Sequence, residues 1–184
     1  MSREARPAFP GSNAPVDIDA MIRVDHAGEY GAVRIYEGQL AVLGATKSDA
    51  VDAIRHMAKQ EKRHLTSFDT LINQRRVRPT ALEPLWRVTG FALGAATALM
   101  GEKAAMACTA AVEEVIDEHY AAQVARLGDC DRELKETVEA FRLEEVQHRD
   151  TALAHGAREA RSYRLLSESI KAGCRLAIAL SEKI

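Results

Sequence analysis

Glu145-Val146-Gln147-His148, together with the upstream Glu113, repeats an earlier pattern made by Glu61-Lys62-Arg63-His64 and the upstream Glu29. Each residue of the later set lies 84 positions after its counterpart. In both sets the isolated glutamate stands 32 positions before the Glu-x-x-His motif, and the sequence contains only these two motifs. A single motif of this kind often arises by chance, whereas a duplicated one in register does not. The repeat therefore predicts one site assembled from two similar halves.

The repeated residue types are those that bind metal ions. Residues three apart share one face of an α-helix, so Glu61 with His64, and Glu145 with His148, can each hold one metal ion. Four carboxylates carry four negative charges, which two divalent cations would neutralise inside a helix bundle. The ligand set is typical of ferritin-like di-iron four-helix bundles. The predicted metal ligands are Glu29, Glu61, His64, Glu113, Glu145 and His148.

The ligand types also favour particular metals. Carboxylates and imidazoles suit iron or manganese, whereas a zinc site would more often include cysteine. Open positions on two ferrous ions would allow O2 to be activated reductively. Glu29 and Glu113 can either cap or bridge the metals. Glu114 and Glu144 are expected to face solvent, because only Glu145 keeps the spacing of three to His148.

The composition predicts an all-α fold. The chain has 184 residues, 47% of them hydrophobic, which suffices for one domain with a sizeable core. Aromatic residues make up only 5%, and no run of alternating β-branched residues occurs. We predict a flexible tail at 1–16 and a single domain at 17–184. Its parts are a helical repeat at about 17–76, an apolar connecting helix at about 83–101, a second helical repeat at about 102–156 and a C-terminal amphipathic helix at about 161–183.

The apolar segment leaves two interpretations open. The uncharged run 88–101 is shorter than the roughly 20 residues that a membrane-spanning helix needs. It forms either a buried connecting helix or an interfacial helix with Trp86 and Arg87 at the level of the lipid headgroups. The C-terminal helix could pair with it as an apolar flap beside the bundle. The basic cluster 75–78 either contacts anionic lipid or is a solvated helix end.

Charge and cysteine content exclude some classes of protein. A formal net charge of −2 gives no electrostatic reason to expect a nucleic-acid partner. The three cysteines are odd in number, widely spaced and without a Cys-x-x-Cys motif, so a reducing compartment is expected. Residues 1–16 resemble neither a secretory signal nor a basic transit peptide.

Several residues near the predicted ligands are candidates for supporting roles. Tyr36 and Tyr120 stand seven positions after Glu29 and Glu113, so each is either a neighbour of the ligands, a residue facing substrate, or a core residue. His26 and His119 could relay protons. The small residues Gly28 and Gly31 would let a ligand or a second helix approach closely. The predicted catalytic residues are Tyr36, His119 and Tyr120.

With these residues in place, the chain resembles the demethoxyubiquinone hydroxylase family of ubiquinone biosynthesis, whose members are ferritin-like di-iron monooxygenases. The resemblance covers nearly the whole chain after the tail. The stretches that carry it are 23–36 (RVDHAGEYGAVRIY), 60–64 (QEKRH), 76–80 (RVRPT), 84–86 (PLW), 90–94 (GFALG), 105–109 (AMACT), 112–114 (VEE), 119–120 (HY), 144–148 (EEVQH) and 172–175 (AGCR).

The resemblance implies a di-iron centre on the six predicted ligands, with His119 and Tyr120 near the quinone. It implies hydroxylation of a demethoxyubiquinol ring with O2 as co-substrate and an external reductant such as NADH. The polyprenyl quinol and the lipid surface are the implied partners, with a lipid-presenting protein or other biosynthetic proteins, and a homo-oligomer is expected. The implied location is peripheral, on the cytoplasmic face of a bacterial inner membrane or the matrix face of a mitochondrial one.

Two other functions fit the same residues. A ferritin- or rubrerythrin-like protein would handle iron or peroxide without an organic substrate, and would need no apolar flap. A non-catalytic lipid-presenting protein would fill its acidic core with zinc or protons. Neither alternative predicts a hydroxylated quinone.

Overall fold

The computed structural model describes residues 16–184, so nearly all of the predicted tail lies outside the described residues. Within this part every regular element is helical, and the prediction of an all-α protein is confirmed there. The helices are α1 (Ile18–Leu43), α2 (Asp49–Arg75), α3 (Glu83–Leu99), α4 (Glu102–Leu127), α5 (Arg132–Ala154) and α6 (Tyr163–Ser181), with a short 3-10 turn at Ala157–Glu159 before α6.

Short polar residues and glycines define the ends of the bundle helices. The side chains of Asp17, Ser48 and Asp131 accept hydrogen bonds from backbone N–H groups in the first turns of α1, α2 and α5. Gly44 and Gly128 follow the last residues of α1 and α4. Gly128 has a φ of +50°, a conformation in which a residue with a Cβ is disfavoured.

Helices α1, α2, α4 and α5 form a four-helix bundle with an apolar cluster towards each end. One cluster contains Val51, Ile54 and Met106, and the other contains Phe68 and Leu134. All five side chains are essentially inaccessible to solvent. The predicted ligands lie between these clusters along the helices, so the site has well-packed apolar layers above and below it.

The remaining two helices pack outside the bundle, α3 along α1 and α6 along α4. Adding 84 to the residue numbers that bound α1 gives the bounds of α4. Adding 84 to the residue numbers of α3 gives a range that covers most of α6. Each half of the chain therefore consists of three equivalent helices. The two outer helices are joined at one end, where Trp86 Nε1 donates a hydrogen bond of 3.0 Å to Ser181 Oγ.

Glycines bring α3 unusually close to α1. A Cβ atom on Gly94 would overlap the backbone carbonyl of Ile35, and one on Gly38 would overlap the carbonyl of Phe91. A Cβ on Gly90 would lie 3.0 Å from the carbonyl oxygen of Gly31. A Cβ on Gly28 or Gly31 would have no neighbour within 4 Å among the described residues outside its own helix backbone, so the prediction that these two glycines permit the close approach of a second helix is wrong. Helix α3 can sit at this distance because glycines on the two helices leave room for the facing backbone carbonyls.

The outer face of α3 is exposed, so of the two interpretations left open by the sequence the buried connecting helix does not agree with the structure. Leu85, Val88 and Leu99 are 48%, 66% and 76% exposed. Glycines and small residues supply the contact with α1, so the larger apolar side chains point outward. In residues 16–184, no helix is both long enough and apolar enough to cross a bilayer.

Candidate metal centre

The six predicted ligands converge in the middle of the bundle. Helix α1 supplies Glu29 and α4 supplies Glu113, while α2 and α5 each supply a Glu-x-x-His motif. All six side chains lie in the core, and none is more than 2% exposed. Placing four carboxylates where water cannot solvate them is costly unless cations or protons compensate their charge.

The ligand atoms form two overlapping groups in which all atoms lie within 4.8 Å of one another. One group consists of Glu29, Glu61, His64 and Glu145, and the other consists of Glu61, Glu113, Glu145 and His148. Glu61 and Glu145 belong to both groups. If two metal ions were bound, the carboxylates of the two Glu-x-x-His motifs would be able to bridge them, and Glu29 and Glu113 would be able to cap them.

Both imidazoles turn Nδ1 towards the carboxylates. His64 Nδ1 lies 3.0 Å from Glu145 Oε1 and 3.5 Å from Glu29 Oε2. His148 Nδ1 lies 2.9 Å from Glu61 Oε1 and 3.2 Å from Glu145 Oε2. Each histidine therefore faces the bridging carboxylate of the other half.

The donor set fits a pair of divalent cations. Within residues 16–184, Glu29 Oε2, both oxygens of Glu61, Glu113 Oε2 and Glu145 Oε1 accept no hydrogen bond of good geometry, although all are buried. Buried oxygens normally have partners, so this concentration of free lone pairs is expected of a site that binds cations. Four carboxylates with two imidazoles suit iron or manganese.

In the metal-free protein, the surroundings favour the protonated forms of several of these ligands. Burial raises the pKa values of Glu61 and Glu113 well above the ordinary value, and repulsion from Glu145 adds to the effect. Burial alone would lower the pKa of His64, but its close contacts with the carboxylates of Glu145 and Glu29 outweigh it and raise this pKa to about 11. Burial opposes ionisation of Glu145 too, yet its contacts with His148 and His64 lower its pKa to about 2.

The Nε2 atoms of His64 and His148, which point away from the ligand carboxylates, contact two residues that the sequence analysis did not connect with the site. Glu144 Oε2 lies 3.2 Å from His64 Nε2, and Gln60 Oε1 lies 3.2 Å from His148 Nε2. The prediction that Glu144 merely faces solvent is wrong, because its side chain is only 26% exposed and contacts a ligand. Gln60 and Glu144 obey the 84-residue offset, which is the sequence signal that could have found them.

The predicted tyrosines contact the capping carboxylates. Tyr36 donates a hydrogen bond of 2.7 Å to Glu113 Oε1, and Tyr120 donates one to Glu29 Oε1. Both rings are only 2% exposed. Each tyrosine therefore supports the carboxylate of the opposite half, which favours a role beside the ligands over contact with substrate.

The third predicted catalytic residue, His119, belongs to a polar cluster beside the Glu29 end of the site. His119 Nε2 lies 3.1 Å from Asp25 Oδ1, to which Gln123 also donates a hydrogen bond of 2.7 Å. Burial raises the pKa of Asp25 to about 6, although contacts with His119 oppose the shift. The equivalent positions of the other half hold Thr109, Ile35 and Gln39, so only one half carries a titratable pair.

Other predicted or neighbouring residues lie away from the ligands. His26 turns Nε2 to Asp69 at 2.9 Å, so its contact is with α2. Glu114 binds Lys171 of α6 at 2.7 Å. Asp117 binds Arg142 at 2.6 Å. These contacts join helices. The 84-residue repeat selects Glu113 and not Glu114 as a ligand, and in the structure Glu113 is the one that lies among the ligands.

The fold and site together define a helical-bundle protein with a buried carboxylate and histidine centre able to hold two metal ions. A family model described as ubiquinone biosynthesis protein COQ7 matches residues 16–181. The chain belongs to this family.

Named relatives agree with the family match over most of their length. The chain is 56% identical over 183 residues to the 3-demethoxyubiquinol 3-hydroxylase of Rhodospirillum rubrum, covering 99% of this chain and 86% of the relative. It is 53% identical over 171 residues to the mitochondrial NADPH-dependent 3-demethoxyubiquinone 3-hydroxylase of Homo sapiens, covering 91% and 78%. It is 41% identical over 182 residues to the mitochondrial 5-demethoxyubiquinone hydroxylase of Saccharomyces cerevisiae, covering 91% and 78%.

Proposed function

We propose that the protein is a ferritin-like di-iron monooxygenase that hydroxylates a ring carbon of a demethoxyubiquinol in ubiquinone biosynthesis. The relatives' names support the reaction and substrate. The observation that carries the metal assignment is the pair of overlapping donor groups sharing Glu61 and Glu145. One oxygen atom of O2 enters the ring and the other leaves as water, which requires two electrons and two protons.

Two iron ions held by the six ligands would supply the redox chemistry with O2. The protein's own contribution is to fix those ligands and keep water from them. Glu61 and Glu145 would contact both ions, and Glu29 with His64 and Glu113 with His148 would complete the two positions. The apolar layers on either side exclude solvent, which strengthens every charge interaction inside.

We assign proton transfer to the part of the site near His119, because the two halves carry different residues there. His119 is the predicted catalytic residue with the greatest access to solvent, its side chain being 14% exposed. With Asp25 it forms a pair that can hold and release one proton beside Glu29 and Tyr120. The quinol ring is therefore assigned to the His119 side, with Tyr36 and Tyr120 holding the capping carboxylates.

The outer helices fit an enzyme that draws its substrate from lipid. A polyprenyl quinol partitions into the bilayer, and exposed apolar side chains on α3 and α6 give the protein a surface for peripheral contact. The proposed face is the cytoplasmic one in a bacterium or the matrix one in a mitochondrion. The human and yeast relatives are named as mitochondrial, which supports the compartment alone. A lipid-presenting partner and a homo-oligomer fit the same surface.

An external reductant must supply the two electrons. Several relatives are named NADPH-dependent, which supports a reduced nicotinamide nucleotide, NADH or NADPH, as the donor. The cysteines at 108, 130 and 174 are free and do not form a redox disulfide in the structure.

The decisive experiment loads the protein with ferrous iron anaerobically, adds a short-chain demethoxyquinol, and then admits 18O2. Mass analysis of the ring should show one labelled oxygen atom in the product of the wild-type protein and none in that of His148→Ala. Ferric iron formed without a hydroxylated ring would instead favour an iron- or peroxide-handling protein. Circular dichroism establishes that the variant keeps its helix content.

A further inference from the structure

Gln60 and Glu144 form a polar bridge across the boundary between the two halves, outside the metal ligands. Gln60 Nε2 donates a hydrogen bond of 2.9 Å to Glu144 Oε2. Each residue immediately precedes a bridging glutamate, and each contacts the histidine of the opposite half. The two positions are equivalent in the repeat, but one carries a charge and the other an amide.

Hydrogen-bond chemistry fixes the direction of every contact in this bridge. An ionised carboxylate only accepts, so His64 Nε2 must carry a hydrogen where it meets Glu144. The amide nitrogen of Gln60 must face the same carboxylate, which leaves its oxygen facing His148. That oxygen can only accept, so His148 Nε2 must also carry a hydrogen.

We propose that Glu144 is a positioning residue that sets the tautomers of both histidines, directly for His64 and through Gln60 for His148. With hydrogen on each Nε2, both Nδ1 lone pairs are presented to the metal ions. A single carboxylate thus prepares both ligand positions. This inference rests on the metal centre of the proposed function, since the histidines need a fixed tautomer only if they bind metal.

The bridge also makes the two metal positions unequal. His64 is backed by a carboxylate, which raises the electron-donating power of its imidazole. His148 is backed by a neutral amide, whose effect is weaker. We expect the position formed by Glu29 and His64 to bind a divalent cation more tightly than the position formed by Glu113 and His148.

The test distinguishes the direct contact of Glu144 with His64 from its indirect contact with His148. Metal binding is measured in two variants that each keep only one of the two ligand histidines. In His148→Ala, only the His64 position keeps its imidazole, and anaerobic titration with Mn2+ reports its affinity. There, Glu144→Gln should weaken binding by about 10- to 100-fold, the usual cost of losing an outer partner of a ligand, while Gln60→Leu should leave it nearly unchanged. In His64→Ala, both substitutions should weaken the His148 position.

Glu114→Gln is the matched control, because Glu114 also neighbours a ligand but pairs with Lys171 away from the site. It should leave both affinities unchanged. In the zinc-loaded protein, NMR should detect slowly exchanging Nε2 hydrogens on both histidines, and Glu144→Gln should speed the exchange of both. A residue that only supports the fold would not alter the two histidines selectively.

Each result decides between distinct conclusions. Wild-type protein that binds no Mn2+ would overturn the proposed metal centre itself. Two bound ions with Glu144→Gln indistinguishable from Glu114→Gln would overturn only the positioning role. The same holds if Gln60→Leu weakens the His64 position as strongly as the His148 position. If Glu144→Gln does not fold, the Gln60→Leu pair of measurements still tests the direction of the relay.

Discussion

The hydroxyl group of Tyr36 donates a hydrogen bond of 2.7 Å to Glu113, and so joins α1 of one half to α4 of the other. Tyr120 makes the reciprocal bond to Glu29. Glu113 and Glu29 are both buried. Each capping glutamate therefore accepts a hydrogen bond from the tyrosine hydroxyl of the opposite half. The two halves are thereby coupled at the site itself as well as through the apolar clusters.

Replacing Tyr36 by Phe should destabilise the metal-free protein by about 1–3 kcal/mol, because a buried carboxylate oxygen loses its donor. The loss should be smaller with Mn2+ bound, since the cation then compensates Glu113. Urea unfolding with and without the metal measures both values. Tyr30→Phe is the control, because the hydroxyl of Tyr30 has no hydrogen bond within residues 16–184. An equal loss in the two states would contradict this account of Tyr36.

The bridging and capping carboxylates should respond differently to substitution. Glu61 belongs to both donor groups, so Glu61→Gln should weaken the binding of both metal ions. Glu29 belongs to one group only, so Glu29→Gln should weaken one binding step and largely spare the other. Anaerobic calorimetry with Mn2+ resolves the two steps. A Glu29→Gln protein that loses both ions together would show that the bridging arrangement is wrong.

Metal affinity should rise with pH. Glu61 and Glu113 have raised pKa values, and the pKa of His64 is raised to about 11, so in the metal-free protein these groups retain protons more readily than free side chains do. Cations must displace those protons, and proton loss becomes easier as the pH rises. Titrations between about pH 6 and pH 8 in buffers of different ionisation enthalpy should show tighter binding at the higher pH, with release of protons. Affinity independent of pH would refute this exchange.

Helix α3 should tolerate no side chain at its contact with α1. Gly94→Ala places a Cβ against the carbonyl of Ile35, so α3 must shift outward and the thermal midpoint should fall by several degrees. Gly173→Ala in α6 is the matched control, since no heavy atom of the described chain lies within 4 Å of its Cβ position. That substitution should stabilise the helix by about 0.5–1 kcal/mol. Differential scanning calorimetry of both variants gives the comparison, and unchanged stability of Gly94→Ala would contradict the close approach.

The ligand set could be predicted because its evidence is local and repeated. Helical spacing places Glu61 and His64 on one face, and an identical pattern 84 residues later makes coincidence a poor explanation. The glycines that follow α1 and α4 are local signals of the same kind. Predictions that needed only neighbouring residues therefore agree with the structure.

Contacts between distant residues could not be predicted in the same way. An amphipathic pattern shows that α6 has an apolar face, but the pattern does not show that α4 covers it. Glu144 was assigned to solvent because its spacing to His148 is wrong for a ligand, yet it reaches His64 from the opposite helix. Likewise, Asp25 and His119 lie 94 residues apart and meet only when α1 and α4 pack.

The exposed face of α6 should contribute to membrane binding. Leu165 and Leu176 are 72% and 60% exposed, and they lie 11 residues apart, about three helical turns, so they share one face. Burying a leucine is worth about 1.5–3 kcal/mol, so replacing both by serine should weaken partitioning into anionic vesicles at least about tenfold. Sedimentation with phosphatidylglycerol-containing vesicles measures the change. Leu143→Ser on α5 is the control, because Leu143 is 65% exposed but lies on a different helix. If Leu143→Ser weakens binding as much as the α6 variant, the protein does not approach lipid through α6, and the route proposed for the quinol must lie elsewhere.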